Sequence, residues 1–220
     1  MFQDKLTRYF DEPGPQNTNS VIEAVKGRVR ELKIGYVVVA SESGKTALKV
    51  AEALKDFNVK VVCVTAYAGV RRTYGKPWPE ITGELRKHLE KLGVKILEET
   101  PWICGCTFDT AFLGAQTPSK IIHTFLSRAL GYGFKTALEC ALLAADAGAI
   151  PTDEEVVSIA GTGWAGGGAD CAIVAKSAHV YGGEFISLDR GLEVKEVIAM
   201  PRLKFTERMI EDIKQAKQPL

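Results

Sequence analysis

Two spacings of apolar residues alternate along the chain. Residues 35–40 form an unbroken, β-branched apolar run with no polar alternation, as in a strand covered on both faces. Residues 41–46 interrupt it with serines, a glycine and a threonine. From Thr46 onward, Ala47, Leu48, Val50, Ala51 and Leu54 recur at helical spacing. Residues 59–65 are again a continuous apolar run, ending at Thr65. Strand, helix and strand in this order predict a parallel pair joined by a right-handed crossover. Upstream, residues 17–20 can cap a helix whose apolar positions are Val21, Ile22, Ala24, Val25, Val29 and Leu32. The polar first 18 residues, with Pro13, Gly14 and Pro15, read as a loop.

The same two patterns continue downstream. Residues 81–92 form a charged amphipathic helix closed by Gly93, and residues 94–97 a short strand. Residues 101–116 are irregular. Thr117 caps a helix with Pro118 at its first position, which runs over Ile121, Ile122, Phe125, Leu126 and Leu130. Residues 134–147 are almost wholly apolar and predict a helix buried on most sides. Glu139 and Asp146 interrupt it and read as snorkelling surface groups. Residues 156–160 and 169–175 are strands flanking the glycine-rich residues 161–168. Residues 193–199 form a further strand, ended by Pro201. Residues 204–217 predict a charged helix suited to a surface or a dimer contact, so a homo-oligomer is an open expectation. We read residues 1–220 as a single α/β domain, with residues 1–18 as a leading loop and 203–220 as a helical extension.

Composition narrows the function classes. The chain has 220 residues, 46% of them hydrophobic, and a formal net charge of +1. That balance offers no electrostatic reason to expect nucleic acid. No apolar run approaches the ~20 residues that span a bilayer. The acidic, polar start lacks a secretory core, which makes the cytoplasm the expected compartment. The five cysteines are an odd number and do not read as a disulfide framework. Cys104 and Cys106 lack a second pair at metal-ligand spacing, so no metal is expected.

Residues 41–46 carry the first candidate site. A helix that starts in a turn of serine, glycine and threonine offers unpaired N–H groups, hydroxyls and a favourable dipole to an anion, most simply a phosphate. Lys45 adds a positive charge. The competing reading is an ordinary helix capped by Ser41 or Ser43. The turn is not a nucleotide triphosphatase loop, because Val39 stands where that motif requires glycine. Gly161, Gly163 and Gly166 fit the pattern GxGxxG, but a strand follows where the dinucleotide fingerprint needs a helix. What remains is a backbone able to approach a ligand closely, or a glycine-rich hairpin. Asp170 can accept from a ligand or brace the loop's own N–H groups. In residues 66–79, Arg71, Arg72, Tyr74 and Trp78 can hold a planar or anionic group, or belong to a solvated loop. The candidate ligand contacts are Ser41, Ser43, Gly44, Lys45, Thr46, Thr65, Gly161, Thr162, Gly163, Gly167, Gly168 and Asp170. No base–nucleophile signature is legible around Cys104, Cys106 or His123. Of the histidines, His88 reads as solvated and His179 as the best placed for a ligand.

From Asn19 to Thr65 the order of helix, apolar strand, serine–glycine turn, helix and strand resembles the C-terminal domain of pyruvate kinase. The turn equivalent to residues 41–46 holds a sugar-phosphate effector in the regulated kinases. Over nearly its whole length the chain is similar to mainly archaeal stand-alone proteins built on that domain. The matching pieces are residues 37–41 with Thr46 and Ala47, residues 144–151, 168–170, Ala178 with His179, and residues 200–202. The resemblance implies a three-layer α/β/α sandwich with a mostly parallel sheet and no kinase activity. It also implies bound flavin mononucleotide (FMN) with no assigned reaction. The phosphate would sit on the N–H groups of Gly44, Lys45 and Thr46. The isoalloxazine would lie between the glycine-rich loop and the aromatic loop from Tyr67 to Trp78. The alternative is a sugar-phosphate sensor, without flavin or catalysis, that acts on a partner protein.

Overall fold

The computed structural model describes residues 4–103 and 117–216. The elements in chain order are β1 (Arg8–Phe10), α1 (Thr18–Leu32), β2 (Tyr36–Ala40), α2 (Lys45–Leu54), β3 (Lys60–Val64), α3 (Ala68–Thr73) and α4 (Gly83–Lys91). Then come β4 (Lys95–Leu97), α5 (Pro118–Leu130), α6 (Tyr132–Asp146), β5 (Glu155–Thr162), β6 (Gly167–Lys176), β7 (Glu193–Pro201) and α7 (Glu207–Ala216).

The strands form one sheet in the order β1-β7-β6-β5-β2-β3-β4. Strand β2 pairs in parallel with β3 and β5, placing Val37 opposite both Val61 and Val157. Strands β5 and β7 each pair antiparallel with β6, and β1 pairs in parallel with β7. Only β6 therefore runs against the other six. The carboxyl ends of those six and the start of β6 share one edge of the sheet.

Successive side chains of a strand point to opposite faces. Val37 and Val39 join a core with Val21, Val25, Val50 and Leu89, from α1, α2 and α4. Val38 points the other way, into a cluster with Cys140 and Leu143 of α6. This is why residues 35–40 show no polar alternation: helices cover both faces of their strand. The result is the three-layer α/β/α sandwich with a mostly parallel sheet. Helix α5 packs outside α6.

Three local features differ from the pattern reading. The leading loop contains β1, a polar edge strand whose three residues carry no hydrophobic period. The segment 66–79 contains the short helix α3 and a cis peptide between Trp78 and Pro79. Helix α7 buries Met209 and Ile213 against the domain, although it reads as a surface helix from its charge. Cys104, Cys106 and most of the irregular segment 101–116 lie outside the described residues.

Helix α6 approaches β6 closely at Gly133. A Cβ there would lie 2.3 Å from Asp170 Oδ1 and 3.0 Å from Cys171 Cβ. Gly133→Ala is expected to lower unfolding free energy by about 1–3 kcal/mol, the usual cost of overpacking. Urea unfolding checks this, with a lower midpoint and an unchanged slope.

Candidate functional site

The chain leaves β2 through α2 to β3 and β4, and later returns to β2's other side as β5. Helix α2 starts on one face of the sheet and α6 on the other. A crevice opens at such a reversal, at the carboxyl ends of the strands. Here it is a cavity of about 680 Å³. Ser41, Ser43 and Thr46 line it from the β2–α2 turn, and Val64 and Thr65 from the end of β3. Tyr132, Lys135, Thr136 and Glu139 line it from α6. Gly161, Gly163, Trp164 and residues 166–168 supply the hairpin wall, and Glu42, Lys76, Glu80, Trp102 and His123 add charged and aromatic lining.

The turn is fixed from several sides. Ser41 N–H donates to the Val64 carbonyl at 2.9 Å, and Thr65 Oγ1 donates to the Glu42 carbonyl at 2.9 Å. Ser41 Oγ accepts from Ala47 N–H at 3.4 Å, so this hydroxyl caps the helix as the simpler reading has it. Ser43 and Thr46 both line the cavity. Lys45 and Thr46 are the first two helical residues, whose N–H groups have no intrahelical acceptor. Gly44 differs from the expectation that it binds phosphate. Its N–H donates to the Ser41 carbonyl at 3.4 Å, and it adopts φ 76°. A Cβ there would meet Ile81 and Leu89 at 3.2 Å, on the core side. Lys45 is exposed and lies outside the cavity lining.

Residues 161–168 connect β5 to β6 as an antiparallel hairpin, which is the bland reading, and they also line the cavity. A Cβ at Gly161 would meet the Gly168 carbonyl oxygen at 2.2 Å, so the two strands of the hairpin require glycine at their base. Gly163 has open space around it. Asp170 and Thr162 are buried and do not line the cavity. Asp170 Oδ2 accepts from the N–H groups of Gly14 and Thr162, both at 3.0 Å. The carboxylate therefore braces the loop rather than reaching a ligand. Its Oδ1 is buried without a hydrogen-bond partner. Burial outweighs the hydrogen bonds from Thr162 and Gly14 and raises its pKa to about 6.

Helix α6 supplies what the sequence reading missed. Lys135 Nζ donates to Glu139 Oε2 at 2.9 Å, and the two residues are only 7% and 4% exposed. Glu139 Oε1 also accepts from Ile103 N–H at 2.9 Å. Glu139 is thus no snorkelling surface group. The legible clue was a lysine and a glutamate four apart on a helix otherwise apolar around them. Asp146 sits at the far end of α6, where it meets His179 Nδ1 at 3.2 Å and accepts from Val180 N–H at 3.1 Å. His179 does not line the cavity, whereas His123 does, edge-on to Tyr132 at 6.0 Å.

The expected aromatic loop is not the wall. Arg71 is buried, donates to the Pro77 carbonyl at 3.0 Å and pairs with Glu80. Trp78 Nε1 donates to the Glu98 carbonyl at 3.3 Å, while Arg72 and Tyr74 are exposed. None of these four lines the cavity. Its rings are Trp102, Trp164 and Tyr132, with Tyr67 edge-on behind Trp102 at 5.9 Å. Among the described residues no group of three metal-ligating side chains occurs. Burial pushes the Cys63 thiol up to about 12 and raises Cys140 and Cys171 as well, so these are not thiolate nucleophiles at neutral pH.

Residues 19–175 match the family model described as pyruvate kinase, alpha/beta domain. The chain belongs to that family. The matched stretch begins in α1 and ends in the last residues of β6, so β1, β7 and α7 lie outside it. No helix among the described residues is long and apolar enough to cross a membrane.

Asp170 makes stability depend on pH in a defined direction. An unfolded aspartate loses its proton near 3.8, and the folded one near 6. Between these values the folded state binds more protons, so its contribution is full below 3.8 and is lost as pH rises through 6. The loss is on the order of 3 kcal/mol. Urea unfolding of the unmodified protein and of Asp170→Asn from pH 3.5 to 7.5 is expected to show it. The difference in stability shifts against the unmodified protein as pH rises, then becomes flat.

Proposed function

We propose that this protein binds a phosphate ester in the cavity at the ends of β2, β3 and β5, and that flavin mononucleotide is the ester. One arrangement carries the reading: Ser43 and Thr46, at the start of α2, line one side of the cavity, and aromatic rings with glycine backbone line the others. The first wall suits a doubly charged phosphate. Trp102, Trp164 and Tyr132 suit a flat ring system, with residues 166–168 allowing close backbone approach. The volume lies within the ~300–1,000 Å³ usual for cofactor sites. Two carboxylates, Glu42 and Glu80, line the cavity beside the phosphate wall, and Arg71 pairs with both, with Glu42 at 3.8 Å. The resemblance to archaeal-type stand-alone proteins associated with this flavin points the same way. Isoalloxazine rings favour this over a bare sugar phosphate, which needs no aromatic wall. We assign no reaction. Among the described residues, Cys63, Cys140 and Cys171 are free and buried, which supports a reducing compartment such as the cytoplasm.

The test is a visible spectrum of the purified protein and a fluorescence titration with flavin mononucleotide and with riboflavin. Saturable quenching is expected, with riboflavin bound at least tenfold more weakly because it lacks the charged hydrogen-bond acceptor. Thr46→Asp places an acid in the first turn of α2, which suits the helix dipole but repels phosphate. It is expected to keep its thermal stability and lose at least tenfold in affinity. Gly44 is unsuitable for this test, because its positive φ and close core neighbours would strain any substitution. Absence of both quenching and thermal stabilisation by the flavin would overturn the reading, and stabilisation by sugar phosphates alone would assign the site to an effector.

A further inference from the structure

Three lysines stand around the β2–α2 turn and the cavity, and they differ in what they meet. Lys45 lies outside the cavity lining, and Lys135 lines it as half of an ion pair. Lys76 also lines the cavity, and among the described residues its ammonium meets no ion-pair or hydrogen-bond partner. Its backbone is held close to the turn. Lys76 N–H donates to the Arg71 carbonyl at 2.9 Å, and Arg71 Nε donates to the carbonyl of Pro77, the next residue, at 3.0 Å. The Arg71 guanidinium in turn reaches Glu42, beside Ser43, at 3.8 Å, and pairs with Glu80. Where the loop ends, Ile81 lies 3.2 Å from the place a Cβ on Gly44 would take. Both ends of the Lys76 loop therefore abut residues 42–44.

The charges on this side do not balance without Lys76. Glu42 and Glu80 both line the cavity and share one guanidinium. A phosphate entering beside them would meet one negative charge in excess, which repels it. The Lys76 ammonium restores the balance, and it breaks no ion pair within the protein to meet an ester. Resting on the phosphate-ester reading, we infer that Lys76 is the specificity-determining cation of the site: it pairs with the phosphate from the loop beside the turn and makes the site select flavin mononucleotide over uncharged riboflavin. Lys76 is exposed, so the pair stays open to solvent and its effect is moderate.

The experiment measures dissociation constants for flavin mononucleotide and for riboflavin by fluorescence titration, at one pH and at low salt. The unmodified protein is compared with Lys76→Gln, which removes the charge, and Lys76→Arg, which keeps it. Lys76→Gln is expected to bind flavin mononucleotide about fivefold more weakly, the upper range for an ion pair open to solvent, with riboflavin affinity unchanged. Lys76→Arg is expected to stay within twofold of the unmodified protein for both ligands. A loss in Lys76→Gln that is below twofold, or equal for the two flavins, would overturn the inference and leave the flavin reading standing. So would an equal loss in Lys76→Arg, because charge would then not be its cause. Failure of the unmodified protein to bind either flavin would overturn both.

Discussion

One oxygen of the buried Asp170 carboxylate holds together segments that are far apart in the chain. It takes the N–H of Gly14, beyond the edge strand β1, and that of Thr162, at the end of β5. A buried carboxylate is costly unless it accepts hydrogen bonds, so this arrangement tolerates little displacement. Gly133 leaves room for the carboxylate's other oxygen beneath α6. Thr18 Oγ1 adds a second tie by accepting from Ala169 N–H at 3.0 Å. These contacts set where β6 begins, and hence where the glycine wall of the cavity stands.

The reversed direction of β6 is what brings that wall to the site. Had the strand run parallel, its connection from β5 would have crossed a face of the sheet. Running backwards, it begins beside the end of β5, and the hairpin stays at the edge where α2 and α6 start. The elements outside the family match build on this strand. Strand β7 pairs with β6, β1 pairs with β7, and α7 packs against the Gly163–Ala165 turn. Additions at both ends of the chain thus brace one wall of a cavity whose lining lies wholly within the matched family domain.

Much of this was legible from spacing and turn chemistry. The unbroken run at Val37, Val38 and Val39 announced a strand covered on both faces, and the turn after it announced a polar helix start. Ser43, Thr46 and Thr65 do reach the cavity. The reading left alternatives open where two physical uses share one residue type. Gly44 is a glycine for its positive φ against Ile81 and Leu89, and Asp170 is an acid for bracing. For Arg71 composition left a ligand contact and a plain loop residue equally open, and its charge is directed to Glu80 and the backbone of its own loop.

By itself the sequence determined six of the seven strands, most helices, the fold class and the polar turn, because these follow from periods and turn residues within short windows. Tertiary structure alone decided which side chains share the cavity. Trp102, the Lys135–Glu139 pair of α6 and Trp164 come from three separate segments, and no local pattern records that these segments meet. Their convergence follows from the return of the chain to the far side of β2, which sets two helix starts and a hairpin around one strand end. That is a property of connectivity between distant segments, and a local period carries no information about it.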